Sequence, residues 1–285
     1  MTNVTRILAP VDFSDSSRDA ARYAGAIASR TSARLELLHV VSKADFEFAA
    51  AGLEETATRL HHQRMTAVRQ ALDEFPDPGF PADRIVASGD PAEEIVRVAQ
   101  NGGECVLVMP TRGAGAFRRW LGLGSVASQV LAGADCPVMT GVNFQHAPDG
   151  LVGGRIVCAV DLGPHTPRVL KWTAFAAAHF GAQITVVHAL TLADQAVHTM
   201  LEDEWRAALN ERVELRIQRL LHAHRMQAEI LLAEGRPHGV VAEAAAASGA
   251  GWVVIGRSCA HDLLGRLRAS AYEIIRRSPC PVISV

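Results

Sequence analysis

No stretch of this chain is apolar over the ~20 residues that a bilayer-spanning helix requires, so no membrane partner is expected. Aromatic residues make up only 5% of the sequence, too few rings to sandwich a flavin in an electron carrier. The formal net charge is −2 and the isoelectric point lies near 6.6. The basic excess of nucleic-acid binders is therefore missing, as is a polybasic patch for anionic lipid. The five cysteines include no C-x-x-C pair. Cys105 and Cys158 fall inside apolar runs and read as buried, reduced thiols that pack like small hydrophobes. Among twelve histidines, His61-His62 and His222-x-His224 lack the i, i+4 spacing that sets two ligands on one helix face, so no metal site is expected. The opening residues, Met1-Thr2-Asn3-Val4-Thr5-Arg6, lack the charged start, apolar middle and cleavage site of a secretory signal, and a cytoplasmic protein is expected. No nucleophile–base constellation stands out, and no catalytic residue is assigned. Glu93-Glu94 resembles a carboxylate pair, but its helical setting places it on a solvated face.

What the chain does have is size, an apolar core and a repeat. Its 285 residues, 49% of them apolar and 20% charged, fit two domains of ordinary size. Ile7-Leu8-Ala9-Pro10-Val11-Asp12 parallels Ile156-Val157-Cys158-Ala159-Val160-Asp161, and Leu37-Leu38-His39-Val40 parallels Val186-Val187-His188-Ala189. Asp12 to Asp161 and His39 to His188 are both separated by 149 positions. Gly89-Asp90-Pro91 and Cys136-Pro137-Val138 recur as Gly235-Arg236-Pro237 and Cys280-Pro281-Val282. The repeat unit is a whole domain, not a short solenoid period. The breakers between Phe144 and Gly154 place the join, giving domains 1–143 and 154–285.

Each half alternates strand and helix. In the first, residues 6–11 read as a buried strand. Ser14 caps a helix that runs to about Ser32, with Asp15 and Asp19 near its start. A strand is expected over 34–41, a helix from Leu53 to about Phe75, and a third strand over 84–88. Asp90-Pro91 opens another helix by pairing a capping side chain with proline at the first helical position. Ile95, Val96 and Ala99 supply that helix's buried stripe. Strand four covers 105–109, a short helix 125–131, and the last strand 137–142. Continuous apolar strands alternating with helices give an α/β fold: in each half, a doubly wound parallel sheet of five strands with helices on both faces. Ligands of such sheets bind where the winding reverses, beyond the carboxyl ends of the strands. That brings Pro10-Val11-Asp12 opposite the segment that follows Met109.

The segment in question is Met109-Pro110-Thr111-Arg112-Gly113-Ala114-Gly115, continuing to Leu121-Gly122-Leu123-Gly124-Ser125-Val126. Glycines expose backbone N–H groups without blocking side chains. A helix start at Gly-Ser adds unpaired donors and partial positive charge. Phosphate is the ligand this suits best; a plain surface connection is the alternative that the loop alone leaves open.

Taken together, Ala-Pro-Val-Asp-Phe-Ser (9–14), Leu-Leu-His-Val (37–40), Gly-Asp-Pro-Ala-Glu-Glu-Ile (89–95), the loop ending Gly124-Ser125-Val126 and Cys136-Pro137-Val138 resemble the universal stress protein family, as two tandem domains. The resemblance implies Rossmann-like sheets of strand order 3-2-1-4-5, dimerisation and, in one branch, ATP binding through a G-x2-G-x9-G-[ST] loop. In the first half that motif falls on Pro110, Gly113, Gly124 and Ser125, with ten rather than nine residues between Gly113 and Gly124. Proline at 110 removes one N–H. The resemblance places Asp12 against the adenosine, Pro10 and Val11 around the base, and Val40 against adenine. Met109 offers a pliable apolar surface for a flat ring. Gly113, Gly124, Ser125 and Val126 would donate to phosphates, with Arg112, Arg118 and Arg119 near enough in sequence to assist.

In the second half the motif reads Gly256, Cys259, Ala269 and Ser270, with Asp161 retained. Two glycines are gone, and a Cβ at either place opposes close approach of backbone to phosphate. This half is expected to be weak or empty for ATP. The leading function is a cytoplasmic ATP-binding regulatory or stress-response protein, with ATP (with or without Mg²⁺) as ligand. It is expected to be a homodimer, with its two domains forming an internal pseudo-dimer through the fifth strand of each as a sheet edge. The alternatives are a nucleotide-free scaffold of the same fold and a slow ATPase.

Overall fold

The computed structural model describes residues 4–42, 54–111, 124–141, 144, 153–190, 203–257 and 265–285, with backbone alone for 54–55, 203–205 and 265–269. The chain divides into two compact units, Asn3–Pro148 and Asp149–Val285. The first runs β1 (Arg6–Pro10), α1 (Asp15–Thr31), β2 (Arg34–Ser42), α2 (Glu54–Asp73), β3 (Ala82–Gly89), α3 (Pro91–Gln100), β4 (Cys105–Pro110), α4 (Ser125–Gly133) and β5 (Val138–Gly141). Its strands lie in the order β3-β2-β1-β4-β5, every pairing parallel. The second runs β6 (Arg155–Ala159), α5 (Thr166–Phe180), β7 (Gln183–Leu190), α6 (Asp203–Ala223), β8 (Glu229–Glu234), α7 (Pro237–Ser248), β9 (Trp252–Ile255), α8 (Gly265–Arg277) and β10 (Val282–Ser284). Within it the order β8-β7-β6-β9-β10 repeats the first, again all parallel. Both units are therefore doubly wound, with one reversal of winding direction each.

Local chemistry explains where the elements start and stop. The Ser14 side chain accepts the Ser17 N–H and caps α1, with Asp15 in the first turn; Ser32 ends the helix in a left-handed conformation at φ 54°. The Asp90 side chain accepts the N–H groups of Ala92 and Glu93, and Pro91 follows as the first helical residue of α3. The buried face of α3 is Ala92, Ile95 and Ala99. Val96, expected on that face, is half-buried. The i, i+3, i+7 stripe runs through 92, 95 and 99, which leaves Val96 at its margin beside Gly133 of α4.

The core is the central strands. β1 and β4 are buried along nearly their whole length, as strands covered on both faces must be. Among the described residues, one ion pair enters that interior. Arg6, 7% exposed, forks onto Glu36 of β2, with Nη2 to Oε2 at 2.6 Å and Nε to Oε1 at 3.3 Å. It also donates to the carbonyls of Val98 and Asn101 at the end of α3. Bidentate geometry and the extra acceptors are what make a buried pair tolerable. Cys105 and Cys158 are free and buried, as their sequence setting implies; burial pushes the Cys158 thiol up to about 12.

Candidate functional site at the winding reversal

β1 pairs with β2 on one side and β4 on the other. The carboxyl ends of β1 and β4 therefore flank one crevice, the expected place for a ligand. Pro10 ends β1. Val11, buried, donates its N–H to Leu38 O at 2.8 Å. Asp12 comes next, half-buried, and its Oδ1 accepts the Ser14 N–H at 3.1 Å and the Ser14 hydroxyl at 2.5 Å. Asp12 is thus not the cap of α1 but the acceptor that holds the capping residue. Phe13, between them, takes φ 65°. A left-handed non-glycine residue costs on the order of 1 kcal/mol and marks a constrained position.

The second unit uses the same device. Asp161 Oδ1 accepts the Gly163 N–H at 2.8 Å and the Thr166 hydroxyl at 3.2 Å, and Leu162 takes φ 58°. Two histidines brace these turns. His39 Nδ1–H donates to Val11 O at 2.7 Å, and His188 Nδ1–H donates to Val160 O at 2.7 Å. A carbonyl only accepts, so each bond fixes the proton on Nδ1. The His39 ring lies 4.6 Å from that of Phe13. Burial holds the His39 pKa below its ordinary value, against the opposing pull of the Val11 carbonyl and Asp12. Both histidines bond to backbone at matching places, the structural role their recurrence implies.

The remaining predicted side chains of the first unit gather at the same sheet end. Val40 is half-buried near the end of β2. Met109 is buried and Pro110 half-buried, in register with Thr140 and Gly141 of β5. Beyond them Thr111, which sequence reasoning passed over, ties the glycine-rich loop at its base. Its N–H donates to Gly141 O at 3.2 Å, and its carbonyl accepts the Gly124 N–H at 2.8 Å. That bond sets the start of α4 beside the end of β4. It also corrects one expectation: the Gly124 N–H is engaged by Thr111 and does not face a phosphate. Gly124 instead sits at φ −61°, ψ 154° as the N-cap residue of α4. Among the described residues, the donors left for an anion include the first-turn N–H groups of Ser125 and Val126, which have no partner within a helix, and the Ser125 hydroxyl. Arg112, Gly113, Arg118 and Arg119 lie outside the described residues, as does Cys259 in the second half; Ala269 lies in α8 with its side chain outside them.

In the second unit the equivalent positions line a cavity of about 250 Å³. Asp161 and Val160 border it at the end of β6, His188 and Ala189 at β7, and Ile255 and Gly256 at β9; Ser270 of α8 also faces it. Gly256 is close-packed: a Cβ there would lie 3.3 Å from Val169 Cγ2 and 3.6 Å from His165 Cβ. His165 also lines this cavity. Among the described residues, no three His, Cys, Asp or Glu side chains converge to hold a metal ion.

The duplicated fold and its two equivalent crevices match a known family. The model for the "Universal stress protein family" matches residues 3–140 and again 154–285. The chain belongs to the universal stress protein family. A universal stress protein of Methanocaldococcus jannaschii is 27% identical over 150 residues, covering 47% of this chain and 92% of that protein. A second from the same organism is 32% identical over 139 residues, covering 47% of this chain and 79% of that protein. Each alignment spans about one domain of the tandem pair. Over both domains, a universal stress protein from Archaeoglobus fulgidus superposes with a TM-score of 0.69 at 21% identity, covering 98% of this chain and 97% of that one. The last likeness concerns the fold.

Proposed function

We propose that this universal stress protein is a cytoplasmic regulatory protein that binds an adenine nucleotide in its N-terminal domain and signals occupancy through a dimer surface. Asp12 contacts the ribose, with Pro10, Val11, Val40 and Met109 around the base. Ser125 and Val126 donate to the phosphates, with Arg112 and Gly113 of the loop beside them. The observation that carries the reading is the Thr111–Gly124 hydrogen bond at 2.8 Å. It fixes a helix N-terminus, with its unpaired donors and partial positive charge, across the crevice from Asp12. Any Mg²⁺ arrives with the phosphates, since that ion keeps most of its water and needs few protein ligands. Any turnover in this reading is slow and incidental.

The C-terminal domain is the weaker ATP site in this reading. Its cavity of about 250 Å³ lies below the ~300–1,000 Å³ of ordinary ligand pockets. That gives room for a base or nucleoside. Cys259 and Ala269 stand where glycines would admit phosphate. A nucleotide-free scaffold is the second reading, favoured by Pro110, which offers no N–H to the loop. Calorimetric titration of the full chain with ATP, repeated on Asp12→Asn and Asp161→Asn, tests both. In Asp12→Asn the side-chain amide oxygen still accepts from Ser14, so the turn survives while the charge is lost. Weaker binding in Asp12→Asn alone supports the N-terminal site; no heat in the unaltered chain supports the scaffold.

A further inference from the structure

β4 and β5 pair with Leu107 opposite Val138 and Val108 opposite Met139. Followed two residues back from Leu107 and Val138, that register leads to Cys105, at the start of β4, and to Cys136, in the bend just before β5. In-register neighbours on adjacent strands are ~4.8 Å apart, inside the Cα separation that a disulfide accepts. The two side chains lie within interaction reach of each other, and Cys136 is foremost among the groups that raise the Cys105 thiol above its ordinary range. Cys105 is buried, whereas Cys136 is partly exposed. Arg6, fixed by Glu36 at 2.6 Å, sets its positive charge within electrostatic reach of both sulfurs. The duplicate lacks this arrangement. There Val253 lies opposite Val282, so Gly251 falls opposite Cys280 and the thiol has no sulfur across from it.

We propose that Cys105 and Cys136 are a peroxide-responsive dithiol pair that closes to a reversible disulfide, in the N-terminal domain alone. Cys136, the accessible member, attacks as its thiolate. Its sulfur bonds to one oxygen of hydrogen peroxide, the O–O bond breaks, and the departing hydroxide takes a proton to become water. The product is a sulfenic acid on Cys136. The Cys105 sulfur then attacks that sulfur; the S–S bond forms and the S–O bond breaks. The departing hydroxide takes the Cys105 proton as a second water. Two thiols lose two electrons in total and one peroxide becomes two waters; a dithiol reductant reverses the change. Roles follow from the surroundings. The neighbouring Cys136, together with burial, holds the Cys105 proton well above the ordinary thiol range. Cys136 is the sulfur that peroxide reaches, since it is the more exposed of the two and lies near the Arg6 charge. The bridge would tie the ends of the segment that contains the glycine-rich loop and α4, at the amino end of β4, opposite to the strand end that bears Asp12.

The test is peptide mapping of the full-length protein after a hydrogen peroxide titration, with free thiols blocked by N-ethylmaleimide and no reductant present. The expected result is a linked Cys105–Cys136 peptide that dithiothreitol abolishes. Cys105→Ser should leave a sulfenic acid on Cys136 that dimedone traps, and Cys136→Ser should leave Cys105 reduced at the same dose. The proposal is overturned if both cysteines are alkylated after treatment, if Cys136 oxidises no faster than Cys280, or if Cys105 links to a different cysteine.

Discussion

Replacing Ser125 by proline isolates the backbone donor on which nucleotide binding is argued to rest. Ser125 is the first residue of α4, the helical position where proline fits best because the N–H it lacks has no partner within the helix. Proline also restricts the residue before it to extended backbone. Gly124 already sits there, at φ −61°, ψ 154°. Ser125 is exposed, so no packing is lost. The substitution therefore leaves the helix intact and removes one N–H and one hydroxyl. A hydrogen bond to a charged group contributes ~1.5–3 kcal/mol. At the low end, Ser125→Ala removes the hydroxyl alone and weakens ATP about tenfold, while Ser125→Pro removes both donors for ~3 kcal/mol, about 100-fold. Calorimetric titration of both variants and the unaltered chain, with thermal melts as the control for folding, gives the comparison. If Ser125→Pro melts normally and binds ATP as tightly as the unaltered chain, the helix N-terminus does not hold phosphate and the assignment is wrong.

The frame makes further predictions. Glu36→Leu strands the Arg6 guanidinium in the interior and should cost about 3–5 kcal/mol by urea denaturation, whereas Glu229→Leu, whose pair with Arg155 is largely exposed, should cost under about 1 kcal/mol; equal costs would refute the burial argument. Burial lowers the His39 pKa, so the unfolded chain takes up that proton first. The neutral ring's contribution is then whole above the ordinary value of about 6.5 and is lost as pH falls below it toward the lowered value. Subtracting the stability of His39→Gln from that of the unaltered chain between about pH 7.5 and 5 should give a difference that shrinks on acidification; a flat difference contradicts it. Gly25→Ala should destabilise the first domain by ~1–3 kcal/mol or more, because the new Cβ would lie 2.4 Å from the Pro78 carbonyl oxygen in α1's close contact; a melt within a degree or so of the unaltered chain would count against that packing.

What the sequence made legible was local. Ser14 and Asp90-Pro91 announced helix starts because a cap is a contact between residues two or three apart. The β1 and β4 runs announced a central parallel sheet because both faces are covered. The recurrence of His39 and His188 pointed to a structural role, and the matching 2.7 Å bonds supply the reason. The rest depended on which distant segments meet. The Gly124 N–H could be read as a phosphate donor only until Thr111 was seen to take it. That Asp12 holds the capping Ser14 through its Oδ1 was hidden until the turn after β1 was seen. Cys105 and Cys136 share no motif with each other, since only the pairing of β4 with β5 brings them together. The partner of Arg6 was likewise hidden until β1 and β2 were in register.

The two halves also separate scaffold from specificity. Both keep an aspartate after the first strand, a left-handed residue behind it and a histidine bonded to the preceding carbonyl. A left-handed Phe13 or Leu162 is unfavourable on its own, so each persists only because the surrounding bonds over-determine the turn. If that frame existed to serve phosphate, it would have relaxed in the half whose loop has lost two glycines. It has not: His188 bonds Val160 at the same distance at which His39 bonds Val11. The turn therefore belongs to the sheet end itself, and it presents a carboxylate to whatever the loop admits. Under the proposed function, ligand choice then falls to the segment after the fourth strand, Pro110 to Ser125 in one half and Gly256 to Ser270 in the other. Exchanging those two segments should move ATP affinity between domains while leaving both histidine bonds in place. Proton resonances of the His39 and His188 Nδ1–H groups that survive such an exchange, with affinity transferred, would establish that division; affinity that stays with the original sheet would instead place specificity in the strands.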